Sequence, residues 1–210
     1  MTLTVALAKG RLLEDALALF RRIGAAPDQG PDSRRLLVPG TDGRLAFLFV
    51  KAADVPVYVE SGAADLGITG TDVLRETGAD VLEPLALGFG GCRLIVASPT
   101  AVPYPDLQGG VTPRVATKYP RLTRAFFADA GLGVEVVTVS GSVEVAPLLG
   151  LSHWIVDLVD TGRTLKENGL LERATILDVG AVLVVNRASQ KLKLDLHEDL
   201  LRRLKEAGHQ

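Results

Sequence analysis

The chain has 210 residues, 47% of them hydrophobic and 23% charged, with a mean hydropathy of +0.25. These values exclude a disordered chain and leave room for one large α/β domain or two small lobes, at about 150 residues per domain. The 23 Lys and Arg against 25 Asp and Glu give a net charge of −2 with no long block of one sign, which argues against general affinity for nucleic acid or an anionic membrane. A single Cys cannot close an intrachain disulfide, and with three His it forms no zinc-spaced ligand set, so no metal site is expected from the protein's own residues. The N-terminus lacks the order of a secretory signal and no apolar run reaches 18 residues, so a cytoplasmic protein without a membrane span is expected.

Residues 2–8 are apolar and partly β-branched. KGRLLEDALALFRRIG follows with apolar side chains at 12, 13, 16, 17, 19, 20 and 23, which predicts a strand feeding an amphipathic helix. Gly24 supplies a stop, AAPDQGPDS reads as a loop, and GTDG between RRLLVP and RLAFLFV fits a hairpin turn. From 55 to 87 the pattern alternates helix, strand, helix and strand at the short spacing of βα units. A second series begins near residue 90. It contains strands CRLIVAS and RVATKY, a helix over 120–129, strand VEVVTVS, a helix near 143–149 and strand HWIVDLV. TILDV and AVLVVN add two strands before a C-terminal helix with Leu200, Leu201 and Leu204 on one face. Two series and a returning C-terminal piece predict two α/β lobes, 1–89 with 175–210 and 90–174, and a ligand cleft between them.

The segment that carries most chemistry is WIVDLVDTGRTLKENG, residues 154–169. An apolar strand delivers Asp157 and Asp160 just before Thr161, Gly162, Arg163 and Thr164. Gly162 lets backbone approach a ligand, successive N–H groups and a helix start attract phosphate, and Thr161, Thr164 and Arg163 add donors. A carboxylate one turn earlier suits the vicinal hydroxyls of a sugar, so a ribose 5-phosphate unit is the expected ligand. Asp160 and Thr161 could instead only cap the following helix. That leaves Asp157 unexplained, because a carboxylate inside an apolar strand requires a ligand, cation or donor.

Taken with its surroundings, this segment resembles the ATP phosphoribosyltransferase family. The resemblance rests on EVAPLLGLSHWIVDLVDTGRTL at 144–165, AKGRL at 8–12, KAADVP at 51–56, DLGITGTDVL at 65–74, FGGCRL at 89–94, RVATKYP at 114–120 and SGSVEVAP at 140–147. Val156 stands before Asp157 where the common phosphoribosyltransferase loop has two adjacent acids, which argues against that type. Neither G-x-G-x-x-G after a strand nor G-x-x-x-x-G-K-[ST] occurs, so ATP binding here would use neither fingerprint.

The resemblance implies a two-lobed, periplasmic-binding-protein-like (type II) α/β fold with the active site in the inter-lobe cleft. It implies transfer of 5-phosphoribosyl from 5-phosphoribosyl 1-pyrophosphate (PRPP) to N1 of ATP in the first step of histidine biosynthesis, with substrate-bound Mg2+. Glu144, Asp157, Asp160, Thr161, Gly162, Arg163 and Thr164 would bind PRPP. Lys9, Gly10, Arg11, Arg34, Lys51, Gly70, Thr71 and Asp72 would serve ATP, with Lys9, Arg11 and Lys51 as the catalytic cations. Without the resemblance, Lys9 and Arg11 read first as surface charges of a solvated helix start, and Thr71 and Asp72 read equally as helix caps or as binding residues.

The length resembles the short form of the family, which implies a catalytic homodimer and a regulatory subunit similar to histidyl-tRNA synthetase. His153 and Trp154 read as packing residues, Cys92 as a small buried side chain, Arg93 as an open contact and Tyr119 as a cleft-lining candidate. A bilobed small-molecule receptor is the alternative from another functional class, with the missing export signal against it.

Overall fold

The computed structural model describes residues 2–33, 35–107 and 110–208, which fall into two compact units. The first runs to Gly90 and resumes at Gly180, and the second spans Gly91–Val179. In chain order the first unit contains β1 (Leu3–Ala8), α1 (Leu13–Arg22), β2 (Leu37–Pro39), β3 (Leu45–Val50), α2 (Val55–Glu60), β4 (Leu66–Gly70), α3 (Thr71–Thr77) and β5 (Leu82–Ala86). The second has β6 (Cys92–Pro99), β7 (Arg114–Thr117), α4 (Pro120–Asp129), β8 (Glu135–Thr138), β9 (Trp154–Val159), α5 (Arg163–Glu167) and β10 (Leu170–Val179). The chain then completes the first unit with β11 (Ala181–Val185), α6 (Arg187–Leu192) and α7 (Leu194–Gly208). Strand β10 continues to Val179, so residues 175–179, expected in the first lobe, lie in the second unit.

The first sheet has the order β2-β3-β1-β4-β11-β5, and both its faces are covered. Alternation along β1 sends Leu3, Val5 and Leu7 to one apolar cluster and Ala6 and Ala8 to the other. Helix α1 buries Leu13, Ala16, Leu17 and Phe20, an i, i+3, i+4, i+7 row, and Phe20 meets Phe47 edge-on at 4.9 Å between centroids. It ends in a Schellman motif: Gly24 turns left-handed at φ 66°, its N–H donates to the Arg21 carbonyl, and the Ala25 N–H donates to that of Phe20. Leu200 and Leu204 of α7 join the α1 side of the core, as their helical spacing predicts.

A buried polar cluster fastens this returning C-terminal segment. Asp65, at the entrance to β4, accepts from the Thr4 N–H (2.7 Å), the Ser189 hydroxyl (2.5 Å) and the Lys193 ammonium (2.8 Å). The Ser189 oxygen lies 2.9 Å from His197 Nε2. Since Ser189 donates to Asp65, it accepts from His197, whose neutral Nε2–H form satisfies both contacts. Burial pushes the Asp65 carboxyl up, but the bonds from Lys193, Ser189 and Thr4 outweigh it and hold the group below its usual value. Burial also lowers the His197 pKa; Asp65 opposes that shift and Lys193 adds to it.

The second sheet runs β10-β6-β9-β7-β8, with β7 parallel to both β8 and β9. Trp154 and Val156 enter one core cluster, and Ile155 and Val159 the other. Asp157 therefore shares the Ile155 and Val159 face by strand alternation. The helix expected near 143–149 is instead a 3-10 turn at Val143–Val145. Pro147 has no N–H with which to reach the Val143 carbonyl, which is taken by Ala146 at 3.1 Å. Among the described residues no helix is long and apolar enough to cross a membrane.

Candidate active site

In the first unit, three adjacent parallel strands end at one edge of the sheet. Strands β1 and β3 pair with Ala8 opposite Val50, so Lys9 and Lys51 leave neighbouring strand ends, and the Lys9 N–H donates to the Val50 carbonyl at 2.8 Å. Val5 and Leu7 pair with Leu66 and Ile68 of β4, and the same register brings Lys9 level with Gly70. The carboxyl ends of parallel strands are where α/β sheets receive ligands, and here that edge carries two exposed ammonium groups.

Gly10 makes the turn into α1 by accepting from the Leu13 N–H at 3.0 Å. The exposed Arg11 guanidinium donates to the Gly90 carbonyl at 2.6 Å. AKGRL and FGGCRL thus meet, and the bond steers Arg11 while leaving other donors of its guanidinium available to an anion. Thr71 is half-buried; its N–H donates to the Gly180 carbonyl, and its hydroxyl accepts from the Gly180 N–H at 3.2 Å. Gly70 and Asp72 are buried, and a Cβ at Gly70 would strike the Asp72 carboxylate. Asp72 therefore packs beneath this turn, and Thr71 is its more accessible side chain. Arg34 lies outside the described residues.

In the second unit, Glu144, Asp157, Asp160, Thr161, Gly162, Arg163 and Thr164 line one cavity of about 130 Å³, floored by Ile155, Val159 and Leu165. All seven residues expected to meet the phosphoribosyl group are brought together there. Gly162 turns the loop with φ 74°, in the left-handed region that other residues enter at a cost. Helix α5 is only five residues long, so its dipole adds little, and anion attraction falls to the loop N–H groups, the two hydroxyls and Arg163. Asp160, Thr161, Arg163 and Thr164 are exposed, whereas Glu144 and Asp157 are half-buried.

Asp157 has the cation its position demands. The Lys118 ammonium, just beyond β7, lies 3.6 Å from the carboxylate, and the Leu158 N–H donates to it at 2.8 Å. Burial pushes the Asp157 carboxyl above its ordinary range; Lys118 and the Leu158 N–H pull it down, and Glu144 pushes it up. Lys118 lies within RVATKYP, whose local pattern gives it no role. The signal that could have found it is a lysine one residue past a strand parallel to the one that carries Asp157.

The other side chains singled out in the sequence are structural in their contacts. His153 Nδ1 accepts the Arg114 N–H, and the buried Trp154 donates to the Pro103 carbonyl. Tyr119, a cleft-lining candidate, is buried in the core cluster that holds Phe127 and Trp154. Arg93 pairs with Glu172, and Cys92 is half-buried against the same core.

Comparison with known proteins agrees with this geometry. A family model described as HisG, ATP phosphoribosyltransferase, matches residues 51–206. The chain is 50% identical over 208 residues to an ATP phosphoribosyltransferase of Sorangium cellulosum, covering 98% of this chain and 95% of the relative. It is 48% identical over 205 residues to one of Acidithiobacillus ferrooxidans, covering 96% and 95%. Among solved structures, the ATP phosphoribosyl transferase (HisG:HisZ) complex from Thermotoga maritima contains a chain similar with TM-score 0.88 and 33% identity, covering 99% of both. The Escherichia coli periplasmic aliphatic sulphonate binding protein SsuA is similar with TM-score 0.61 at 14% identity, covering 99% of this chain and 72% of its own, a likeness of fold alone. The two-lobed α/β class expected from the sequence, periplasmic-binding-protein-like of type II, is the one these structures share. On the family model and on relatives about half identical along nearly its whole length, the chain belongs to the HisG family of ATP phosphoribosyltransferases.

Proposed function

We propose that adenine N1 of ATP attacks C1 of PRPP, that the C1–O bond to pyrophosphate breaks, and that N1-(5-phosphoribosyl)-ATP and pyrophosphate are released, the first step of histidine biosynthesis. The observation that carries this reading is the pocket of the second unit, where two half-buried carboxylates and a loop of N–H, hydroxyl and guanidinium donors line one cavity. Carboxylates accept from the ribose hydroxyls and the loop receives the 5-phosphate. The strand-end cations Lys9 and Lys51, with Arg11, neutralise the triphosphate and the departing pyrophosphate.

Adenine N1 brings its own lone pair, so the protein needs no strong base. Alignment of two polyanions and stabilisation of the leaving group dominate the rate. Mg2+ enters as part of the substrate: pyrophosphate oxygens and water supply the hard ligands this ion takes. Among the described residues no three His, Cys, Asp or Glu side chains are grouped to hold a metal. We infer that the protein works in the cytoplasm as a catalytic homodimer joined by a histidyl-tRNA synthetase-like regulatory subunit; the near-complete match to the Thermotoga chain from a HisG:HisZ complex supports the regulatory partner.

Lys51→Ala tests the cationic edge. Because Lys51 is exposed, its replacement leaves the fold intact and lowers kcat by about tenfold or more at saturating substrates, the lower side of the loss on removing a transition-state donor. A wild-type rate at saturating ATP and PRPP contradicts its place at the leaving group.

A further inference from the structure

We propose that Lys118 is a positioning residue for the ribose pocket, its ammonium fixing the Asp157 carboxylate in the orientation that accepts the sugar hydroxyls. The inference deepens the PRPP assignment and rests on it. Strand β7 is parallel to β9 with Thr117 opposite Val156, and that register brings Lys118 level with Asp157. The ammonium lies 3.6 Å from the carboxylate and 5.2 Å from the centre of the Tyr119 ring, whose buried face limits where the lysine head can go. One Asp157 oxygen already accepts from the Leu158 N–H. Lys118 approaches that same oxygen, Oδ1, so the carboxylate is held through it before a sugar arrives.

The charged surroundings of Asp157 leave this task to Lys118. From the 3-10 turn comes Glu144, of the same sign as Asp157, and from the following loop come Asp160 and Arg163. On the β6 side the register partner is Ile95, and Arg93, farther along that face, is engaged by Glu172. Arg163 sits on the exposed loop expected to take the phosphate, so Lys118 is the cation dedicated to this carboxylate. Burial and Glu144 both favour protonated Asp157, and Lys118 opposes them. A protonated Asp157 retains only part of its acceptor capacity, so Lys118 sets how far into acid the pocket keeps its grip on ribose.

The test compares Lys118→Met, Lys118→Gln and Lys118→Arg with the wild type. Binding of ribose 5-phosphate is measured by calorimetry from pH 5 to 8, and Asp157 is titrated by carbon NMR, its signal identified by its loss in Asp157→Asn. Kinetics with both substrates run in parallel. Loss of the ammonium is expected to move the Asp157 midpoint to higher pH, to shift the acid limb of kcat/KM for PRPP the same way, and to weaken ribose 5-phosphate about fivefold at pH 7. KM for ATP stays at the wild-type value and Lys118→Arg restores the profile.

An unmoved Asp157 midpoint in the folded Met or Gln variant overturns the proposal. So does an equal rise in both KM values with an unshifted acid limb, the mark of a merely structural side chain. A wild-type protein that turns over neither substrate would sink the reaction instead, and the ribose 5-phosphate and NMR titrations would still decide the Lys118 pair.

Discussion

Asp157→Ala is expected to lower kcat/KM for PRPP by about a hundredfold or more while KM for ATP stays within a factor of about three. Two hydroxyl bonds to a charged acceptor, at about 1.5 kcal/mol each, sum to roughly 3 kcal/mol, and about 1.4 kcal/mol is a factor of ten. The ionised carboxylate is a cost to the fold. Burial raises its pKa, so the folded protein holds that proton more tightly than the unfolded chain does. The resulting penalty on the ionised fold is absent below the unfolded pKa and fully present above the raised folded one. Asp157→Asn, similar in shape and uncharged, should therefore match or exceed the wild-type thermal midpoint at pH 7 even as PRPP use collapses. Unchanged PRPP kinetics in the Ala variant would contradict the ribose assignment.

Asp65→Asn is expected to do the reverse, lowering stability by about 3 kcal/mol with little change in either KM at low temperature. Removing one partner of a buried ion pair costs about 3–5 kcal/mol, and the partial exposure of Lys193, 28% for its side chain against 10% for Asp65, puts the loss at the lower end. At about 2–4 °C per kcal/mol for a chain of this size, the thermal midpoint falls by roughly 6–12 °C. The two titrating groups of the cluster act in successive windows. His197 is depressed, so its contribution is complete above the unfolded value of about 6.5 and is lost as pH falls from there through the lower folded value. Asp65 is also depressed, so its contribution is present above the unfolded value of about 3.9 and disappears as pH drops through the folded one. Calorimetry against pH should show His197→Gln flattening the first decline and Asp65→Asn the second. A wild-type midpoint in Asp65→Asn at pH 7 would show that the cluster does not hold the C-terminal helices.

What the sequence made legible follows from the range of the interactions involved. The Leu13, Ala16, Leu17 and Phe20 row, the Gly24 stop and the loop glycine at 162 are local signals, and each is found where its spacing puts it. The pocket residues 157–164 were legible for the same reason, since one strand and its following loop deliver most of them. Lys118 was not, because its partner is 39 positions away and only the β7 to β9 pairing brings them together. The Asp65 cluster is more remote still: Ser189 and Lys193 reach it across separations of 124 and 128 residues. The helix expected near 143–149 failed on a local conflict, Pro147 interrupting a run whose apolar residues otherwise suit a helix. Motif spacing alone does not give the burial of Asp72, whose carboxylate packs against Gly70 beneath the turn.

The most direct measurement is release of pyrophosphate in the presence of ATP, PRPP and Mg2+, with each substrate omitted in turn and the absorbance of the adenine product followed alongside. The account predicts pyrophosphate formation only when both substrates are present, in step with the new adenine product. Release that does not require ATP, or binding of a small ligand with no turnover even after the proposed regulatory subunit is added, would contradict it.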